Sequence, residues 1–586
     1  MPEPEPTCIG RVRHFLGSTV TVALDPDLAG VAPLYRGRLQ PVGQIGSLVR
    51  IPQGLVDLVA VVTLVGIAEL AGNLTPADVV QRGERWLRVE LLGEIDRATH
   101  QFHRGVGTYP GLDDPVHFAT PEQLGAVFPM PDHDHLRLGC LAATEDIPVS
   151  LHATRLVVRH AAVVGSTGSG KTSAVASLLQ SFVRGGWSSA HILVIDPHGE
   201  YSRAMEEFAS VRSVLGADTK QLRVPYWALP AREILRIFAA SMPGATAANR
   251  FNELVGEARR KFVEAAQWIS LDPSAITPDT PVPFAIRPIW RQMDRENRET
   301  RTTAGDPATA RMIDEGDEAT FRPTQFEPYG PAGHPPHKGP LYGSHGTIPD
   351  LLRLGLLDPR LRFFQEPVGD AAGPDPLVQV MVEWLGGGRP VSVLDFSGVS
   401  AEAADVAIGV VLNLVFEVAL RTQGGDTGIG RPSPVMVVLE EAHRYLGGEA
   451  SALTRESANR IAREGRKYGV GLLMVSQRPT ELPKTALAQC GTIVALRLSN
   501  SEDQGAIRAA LPDSVAGLAA VLPSLRTGEA IVSGEAVVIP CRCLIDQPDP
   551  RPLAEDPSLA SWRSANYEMD LAPAIKAWRG TYQGEA

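Results

Sequence analysis

The sequence predicts an α/β protein, with an open parallel sheet preceded by a small β-barrel and interrupted by a partly helical insertion. Three observations carry that expectation. From about residue 156 onward, short apolar runs alternate with helical patterns. Strands covered on both faces of a parallel sheet read as such runs. A glycine-rich loop separates one run from a helix. The first 155 residues instead hold short β-branched runs divided by Gly, Pro and Asp, the pattern of a small barrel.

The barrel, assigned to residues 1–155, rests on TVTVAL (Thr19–Leu24), SLVRI (Ser47–Ile51), LVAVVTLVGI (Leu58–Ile67) and WLRVELLGEI (Trp86–Ile95). Such a pattern assigns no function by itself. The core is assigned to 156–204 and 381–548. Leu156–Val158 and Ala161–Val164 form its apolar entry, and the Gly-rich loop follows. Val175, Leu178, Leu179 and Phe182 then recur at helical spacing, and HILVID (His191–Asp196) is a buried strand. Strand, loop, helix and strand make one βαβ unit. Residues 205–380 read as the insertion, helical around Phe251–Trp268 and ending in a long, mobile loop. That loop, 321–346, holds six prolines and five glycines, which punctuate rather than build elements. The α/β pattern returns with VSVLDF (Val391–Phe396), a helix over Ala404–Leu420, VMVVLEEAH (Val435–His443), GVGLLMVSQ (Gly469–Gln477) and GTIVALRL (Gly491–Leu498). The C-terminal tail, 549–586, is Pro-rich and then weakly helical.

A chain of 586 residues exceeds one ordinary domain. Apolar residues make up 44% and charged residues 21%, a globular balance. The net charge of −12 argues against a protein that coats nucleic acid with its whole surface. Any nucleic-acid contact is therefore expected in a groove or channel. Five scattered cysteines argue against a disulfide framework and fit a reducing cytoplasm. Cys541 and Cys543 read as ordinary strand residues, and the DHDH run at Asp132–His135 as a polar loop rather than a metal cluster. The N-terminus shows no basic and apolar leader. The run Leu55–Leu70 is interrupted by Asp57 and Glu69, and a membrane helix needs about 20 apolar residues. A cytoplasmic chain with no membrane partner is expected.

GSTGSGKT, formed by Gly165, Ser166, Thr167, Gly168, Ser169, Gly170, Lys171 and Thr172, matches G-x-x-x-x-G-K-[ST]. It follows a strand and opens a helix, the context in which that motif holds phosphates. Glycines let successive N–H groups converge on one anion, and the helix N-terminus adds its dipole. Lys171 would reach the β- and γ-phosphates of ATP and the Thr172 hydroxyl would bind Mg²⁺. Glu440 and Glu441 end a buried strand, the edge where open parallel sheets bind ligands. Glu440 would stand near Mg²⁺ through water, and Glu441 would act as general base on the attacking water. Gln477 ends another strand, where it could sense the γ-phosphate. REGRKYG (Arg463–Gly469) offers arginines for the charge of the transferring phosphoryl group. Arg159 is a weaker candidate by spacing. Asp196, Glu200 and Asp395 stand at or just beyond strand ends, where they could lie near the nucleotide or cap turns.

RHAAVVGSTGSGKT (Arg159–Thr172), VIDPHGEY (Val194–Tyr201), VVLEEAHRYL (Val437–Leu446), IAREGRKYGVGLLMVSQRP (Ile461–Pro479), GTIVALRLSN (Gly491–Asn500) and LRTGEAIVSG (Leu525–Gly534) together resemble the HerA family of the HerA–FtsK ATPases. The resemblance covers most of residues 155–545. It implies a RecA-like P-loop core in a hexameric ring that moves double-stranded DNA through its channel. It also implies a barrel that helps assembly and docks an effector, such as a nuclease or a sirtuin-like protein, in anti-phage defence or DNA end processing. By motif position, Glu441 would be the catalytic glutamate, Arg466 the arginine acting on a neighbour's ATP, Arg159 a further nucleotide-contacting arginine and Gln477 the sensor. The acidic pair departs from the pattern, being Glu-Glu where many P-loop motors carry Asp-Glu. The 321–346 stretch has no counterpart in it. A secretion or conjugation motor and a nucleotide-dependent scaffold remain the alternatives.

Overall fold

The computed structural model describes residues 7–26, 28, 34–35, 38–39, 43–67, 85–216, 220–239, 244–364, 370–422, 426–448, 450–553, 559–563 and 569–578. Part of the Leu55–Leu70 run and much of the tail lie outside these.

The N-terminal unit is a closed six-stranded barrel. Its strands are β1 (Cys8–Leu16), β2 (Thr19–Leu24), β3 (Leu48–Gln53), β4 (Val56–Ile67) and β5 (Arg85–Asp96), with the short β6 (Phe102–Arg104) added at β5, and β7 (Pro115–Phe118). The order is β2-β1-β7-β3-β4-β5-β6, and pairing of β2 with β5 closes it. Alternation explains both its faces. Val49, Leu58, Ala60, Val62, Leu87 and Val89 fill the interior. Their neighbours Leu48, Val59, Val61 and Leu92 point outward into the main core. The barrel is thereby seated on the rest of the chain, and the Arg542 guanidinium donates to Ile45 O (2.9 Å) across the joint.

The main sheet has eleven strands. They are β8 (His135–Leu141), β9 (Thr144–His152), β10 (Ala161–Val164), β11 (His191–Asp196), β12 (Ala209–Ser213), β13 (Val391–Asp395), β14 (Val435–Leu439), β15 (Val470–Ser476), β16 (Thr492–Ala495), β17 (Glu529–Gly534) and β18 (Cys541–Ile545). They lie in the order β9-β8-β18-β17-β16-β10-β15-β14-β11-β13-β12. From β16 to β12 all pairs are parallel. From β16 back to β9 all are antiparallel. The register aligns the parallel strands so that Val164 stands beside Ser476 and Ala495, and Asp196 beside Asp395. One edge of the sheet thus collects the carboxyl-terminal ends of the parallel strands.

The site is positioned by α1 (Ala153–Val158), α2 (Lys171–Arg184) and, later, the group α8–α10. Five helices of the insertion come between: α3 (Ala231–Ala239), α4 (Ala245–Ala265), α5 (Ile286–Arg298), α6 (Ile348–Leu357) and α7 (Pro376–Trp384). The buried guanidinium of Arg259 ties α4 to the segments before α3 and α5 by donating to the carbonyls of Trp227, Leu229 and Pro278. Beyond β13 lie α8 (Ala401–Arg421), α9 (Ala442–Leu446) and α10 (Ala452–Tyr468). Helix α8 is long and apolar enough to cross a membrane, but 67% of its most apolar window is buried inside the protein, so its apolarity serves the core.

Several expectations are corrected. Strands β8 and β9, placed by sequence in the barrel, belong to the main sheet through pairing of β8 with β18. Period-two alternation shows that a segment is a strand, not which sheet receives it. Leu156–Val158, read with Ala161–Val164 as the apolar entry to the core, lies in helix α1. The helix packs so closely on β15 that a Cβ on Gly471 would stand 1.5 Å from Val157 O. Ala209–Ser213, counted in the insertion, is the edge strand β12. The loop 321–346 is not bare: Gln325–Phe326 pairs with Met312–Asp314, and His337–Lys338 with Thr300–Arg301. Its first residue, Phe321, is buried against Trp290 at a 5.3 Å ring separation. At Asp132–His135, Asp132 accepts from His135 Nδ1 at 2.6 Å. No group of three or more His, Cys, Asp or Glu suited to a metal occurs among the described residues.

Candidate functional site

The loop Gly165–Gly170 leaves the end of β10 and turns into α2. Its sharp path needs left-handed backbone at Gly168 (φ 72°) and Gly170 (φ 97°), which glycine adopts without penalty. Gly528 N–H donates to Ser169 O (3.0 Å) and Ser166 N–H to Arg497 O (2.8 Å), so neighbouring strand ends hold the curl. The Ser169 hydroxyl is buried without a hydrogen-bond partner. Lys171 is buried, and its ammonium donates to Ser166 O at 3.2 Å. Burial pulls its pKa below the usual lysine value, while the carboxylates of Glu441, Glu440 and Glu200 oppose that pull. Four candidates from three separate segments therefore meet at one edge.

Around Lys171 the polar side chains interlock. Thr172 Oγ1 donates to Glu200 Oε2 at 2.7 Å, and Thr167 Oγ1 donates to Gln477 Oε1 at 2.9 Å. Glu441 caps α9 in left-handed geometry (φ 51°), an uncommon and costly state for a residue with a side chain. Its Oε2 is buried with no hydrogen bond, although His443 Nδ1 stands 3.3 Å away. Burial lowers the pKa of His443, so the ring is mostly neutral at pH 7. Its Nδ1 also lies 3.2 Å from Ser476 Oγ. A strained glutamate with an orphaned carboxylate oxygen is poised to accept a proton from a water or to face a cation.

Glu440 is placed differently. It is only 3% exposed and accepts a hydrogen bond from Tyr201 OH at 2.5 Å. Burial, aided by Glu441, Glu200 and Asp196, pushes its pKa up to about 8 from an ordinary value of 4.5. A carboxyl whose folded pKa is raised stabilises the fold at low pH, and loses that stabilisation as pH climbs toward the folded value. Between pH 4.5 and 8, thermal stability of the parent chain should therefore fall from this group. Glu440→Gln should flatten that slope. Melting temperatures at pH 5 and pH 8 measure it, and an equal slope in both chains excludes the effect.

Asp196 accepts from the N–H groups of His198 (3.2 Å), Gly199 (2.8 Å) and Tyr201 (2.9 Å), and Asp395 from Ser397 N–H (2.8 Å). Both pin the turns that follow their strands. Burial raises Asp196 to about 6. Tyr201, His443 and Ser476 were given no role from sequence. Their motifs were visible, but only the fold shows that they face the acids.

Arg159 and Arg466 stand elsewhere. Arg159 follows α1 just before β10, and Arg466 ends α10 just before β15, so both lie at the amino-terminal edge of the sheet. Four residues of β10 separate the edges, about 13 Å at roughly 3.3 Å per residue. There Arg159, Arg431, Arg463, Arg466 and Lys467 line a groove of about 670 Å³ with two carboxylates, Glu464 and Glu535. Glu535 forms an ion pair with Arg159. Arg466 is exposed and, among the described residues, has no ion-pair partner. It presses on His160 electrostatically, and burial together with that charge lowers the His160 pKa to about 4. The neutral ring then accepts Leu472 N–H on Nδ1 at 3.0 Å.

The family models described as helicase HerA, central domain, and helicase HerA-like C-terminal match residues 136–322 and 412–537. The DNA double-strand break repair helicase HerA of Sulfolobus acidocaldarius is 25% identical over 84% of this chain and 84% of its own length. Its counterpart in Saccharolobus solfataricus is 24% identical over 90% and 93%. The solved structure of VirB4 of Thermoanaerobacter pseudethanolicus aligns with a TM-score of 0.43 and 14% identity, over 71% of this chain and 97% of that one.

Proposed function

Because this chain belongs to the HerA family of the HerA–FtsK ATPases, we propose that it moves double-stranded DNA through a ring of its own copies, each ATP being shared by two neighbours. It is a P-loop ATP hydrolase. The observation that carries the proposal is the division of the machinery. Lys171, Thr172, Glu441 and Gln477 stand at one edge of the sheet, whereas Arg159 and Arg466 stand at the other. One chain cannot bring both edges to one ATP. A head-to-tail contact that closes into a ring can.

In this reading the amides of 165–172 cradle the phosphates, and Lys171 takes the β- and γ-phosphates. The residues fit Mg²⁺, which favours hard oxygen ligands: the Thr172 hydroxyl would hold it, with the Glu200 carboxylate hydrogen-bonded to that hydroxyl and the Glu441 carboxylate close to Lys171. When bound, Mg²⁺ neutralises charge on the phosphates. Glu441 accepts the proton of the attacking water. Gln477, held by Thr167, reports the γ-phosphate. Arg466 and Arg159 of a neighbour meet the charge that develops on the transferring group.

Double-stranded DNA as the substrate is supported by the relatives' role in DNA double-strand break repair. The net charge of −12 requires any such contact to be local. A hexamer, and a nuclease or sirtuin-like effector docked at the barrel for anti-phage defence or end processing, rest on the family resemblance. Five free cysteines support a reducing, cytoplasmic setting. Duplex DNA should stimulate ATP hydrolysis, and the stimulation should weaken steeply with salt as counterion release is lost. A steady-state ATPase assay across a salt series tests this. Hydrolysis indifferent to duplex DNA at every salt concentration would sink the translocase.

A further inference from the structure

We propose that Glu200 is a positioning residue for the metal side of the site: it takes the single proton of the Thr172 hydroxyl and so turns that oxygen's lone pairs toward Mg²⁺. The inference rests on the ATPase reading above. A threonine hydroxyl carries one hydrogen and two lone pairs. To ligate a cation it must send the hydrogen elsewhere, and in this structure the hydrogen goes to Glu200 Oε2 over 2.7 Å. A carboxylate acceptor makes that a charge-assisted bond, stronger than a neutral one.

The surroundings favour Glu200 over the acid first expected there. Glu440 is nearly fully buried and is already engaged by the Tyr201 hydroxyl, so the half-buried Glu200 is the carboxylate in contact with Thr172. Its place does not depend on its own side chain. Asp196 fixes the loop through the N–H groups of His198, Gly199 and Tyr201. The Glu200 carbonyl accepts Leu553 N–H at 2.9 Å, anchoring the loop to the segment beyond β18. Gly199, at φ 73°, gives the turn its left-handed step. A substitution at Glu200 therefore removes the acceptor of the hydroxyl proton and leaves the backbone that carries it.

The test follows binding of a fluorescent ADP analogue to the full chain as Mg²⁺ is titrated, with Mn²⁺ paramagnetic resonance reporting metal occupancy directly. Glu200→Ala should leave metal-free nucleotide binding nearly unchanged and raise the half-saturating Mg²⁺ about 10-fold to 100-fold, the usual effect of losing a partner that orients a ligand. Glu200→Gln, which keeps an oxygen acceptor without its charge, should fall between. In a Thr172→Ala background, Glu200→Ala should add little, because its partner is gone. An unchanged Mg²⁺ half-saturation in Glu200→Ala overturns the proposal, and so does loss of metal-free binding in that variant. Failure of the parent chain to bind the nucleotide at all would instead refute the ATPase reading.

Discussion

Glu441→Gln should bind ATP as the parent chain does and hydrolyse it about 10²-fold to 10⁴-fold more slowly, the usual contribution of a positioned general base. The substitution keeps the length of the side chain and one oxygen, and removes the negative charge and with it the basicity. No hydrogen bond of the fold rests on Oε2, although the carboxylate's charge acts on the buried Lys171. The fold should thus tolerate the change. Equilibrium binding of a fluorescent nucleotide and single-turnover hydrolysis separate the two effects. A mutant that still hydrolyses at the parental rate removes Glu441 from the chemistry. A mutant that stops hydrolysing yet leaves the biological output intact favours the scaffold alternative.

Arg466→Ala should slow hydrolysis by about 10³-fold to 10⁵-fold, the range for an arginine that meets transition-state charge from outside the site. Its own subunit's ATP would be bound normally, because Arg466 stands at the far edge of the sheet. Mixing supplies the decisive measurement. A Glu441→Gln subunit still offers Arg466, and an Arg466→Ala subunit still offers Glu441. At the contact where these two sound halves meet, activity should return. If no mixing ratio restores any hydrolysis, the arginine does not act across a contact.

Much of this was legible in the sequence, for identifiable reasons. Gly165–Thr172 announces itself because few residue types can curl round a phosphate, and Val435–Leu439 because a strand buried on both faces has no polar positions. Glu440 and Glu441 look equivalent in the chain. Only folding separates them, seating one against Tyr201 and leaving the other with an orphaned oxygen. The membership of β8 and β9 in the main sheet was hidden because β18, their bridge to it, lies some four hundred residues further on. Helix α1 was hidden by its Val-rich sequence, in which tertiary packing on Gly471 overrides local preference. The 321–346 stretch read as bare loop because its pairings are two or three residues long, too short to leave a periodic trace.

The placement of each chain's tools on opposite rims of one sheet also has a genetic consequence. In the proposed ring, a fault on one rim would damage a single junction of the assembly, whereas a fault in the sheet between them would damage both junctions that the chain makes. Co-expressed with parental copies, a well-folded rim mutant should therefore lower ATP hydrolysis in step with its share of the subunits, and a sheet mutant should cost more for the same share.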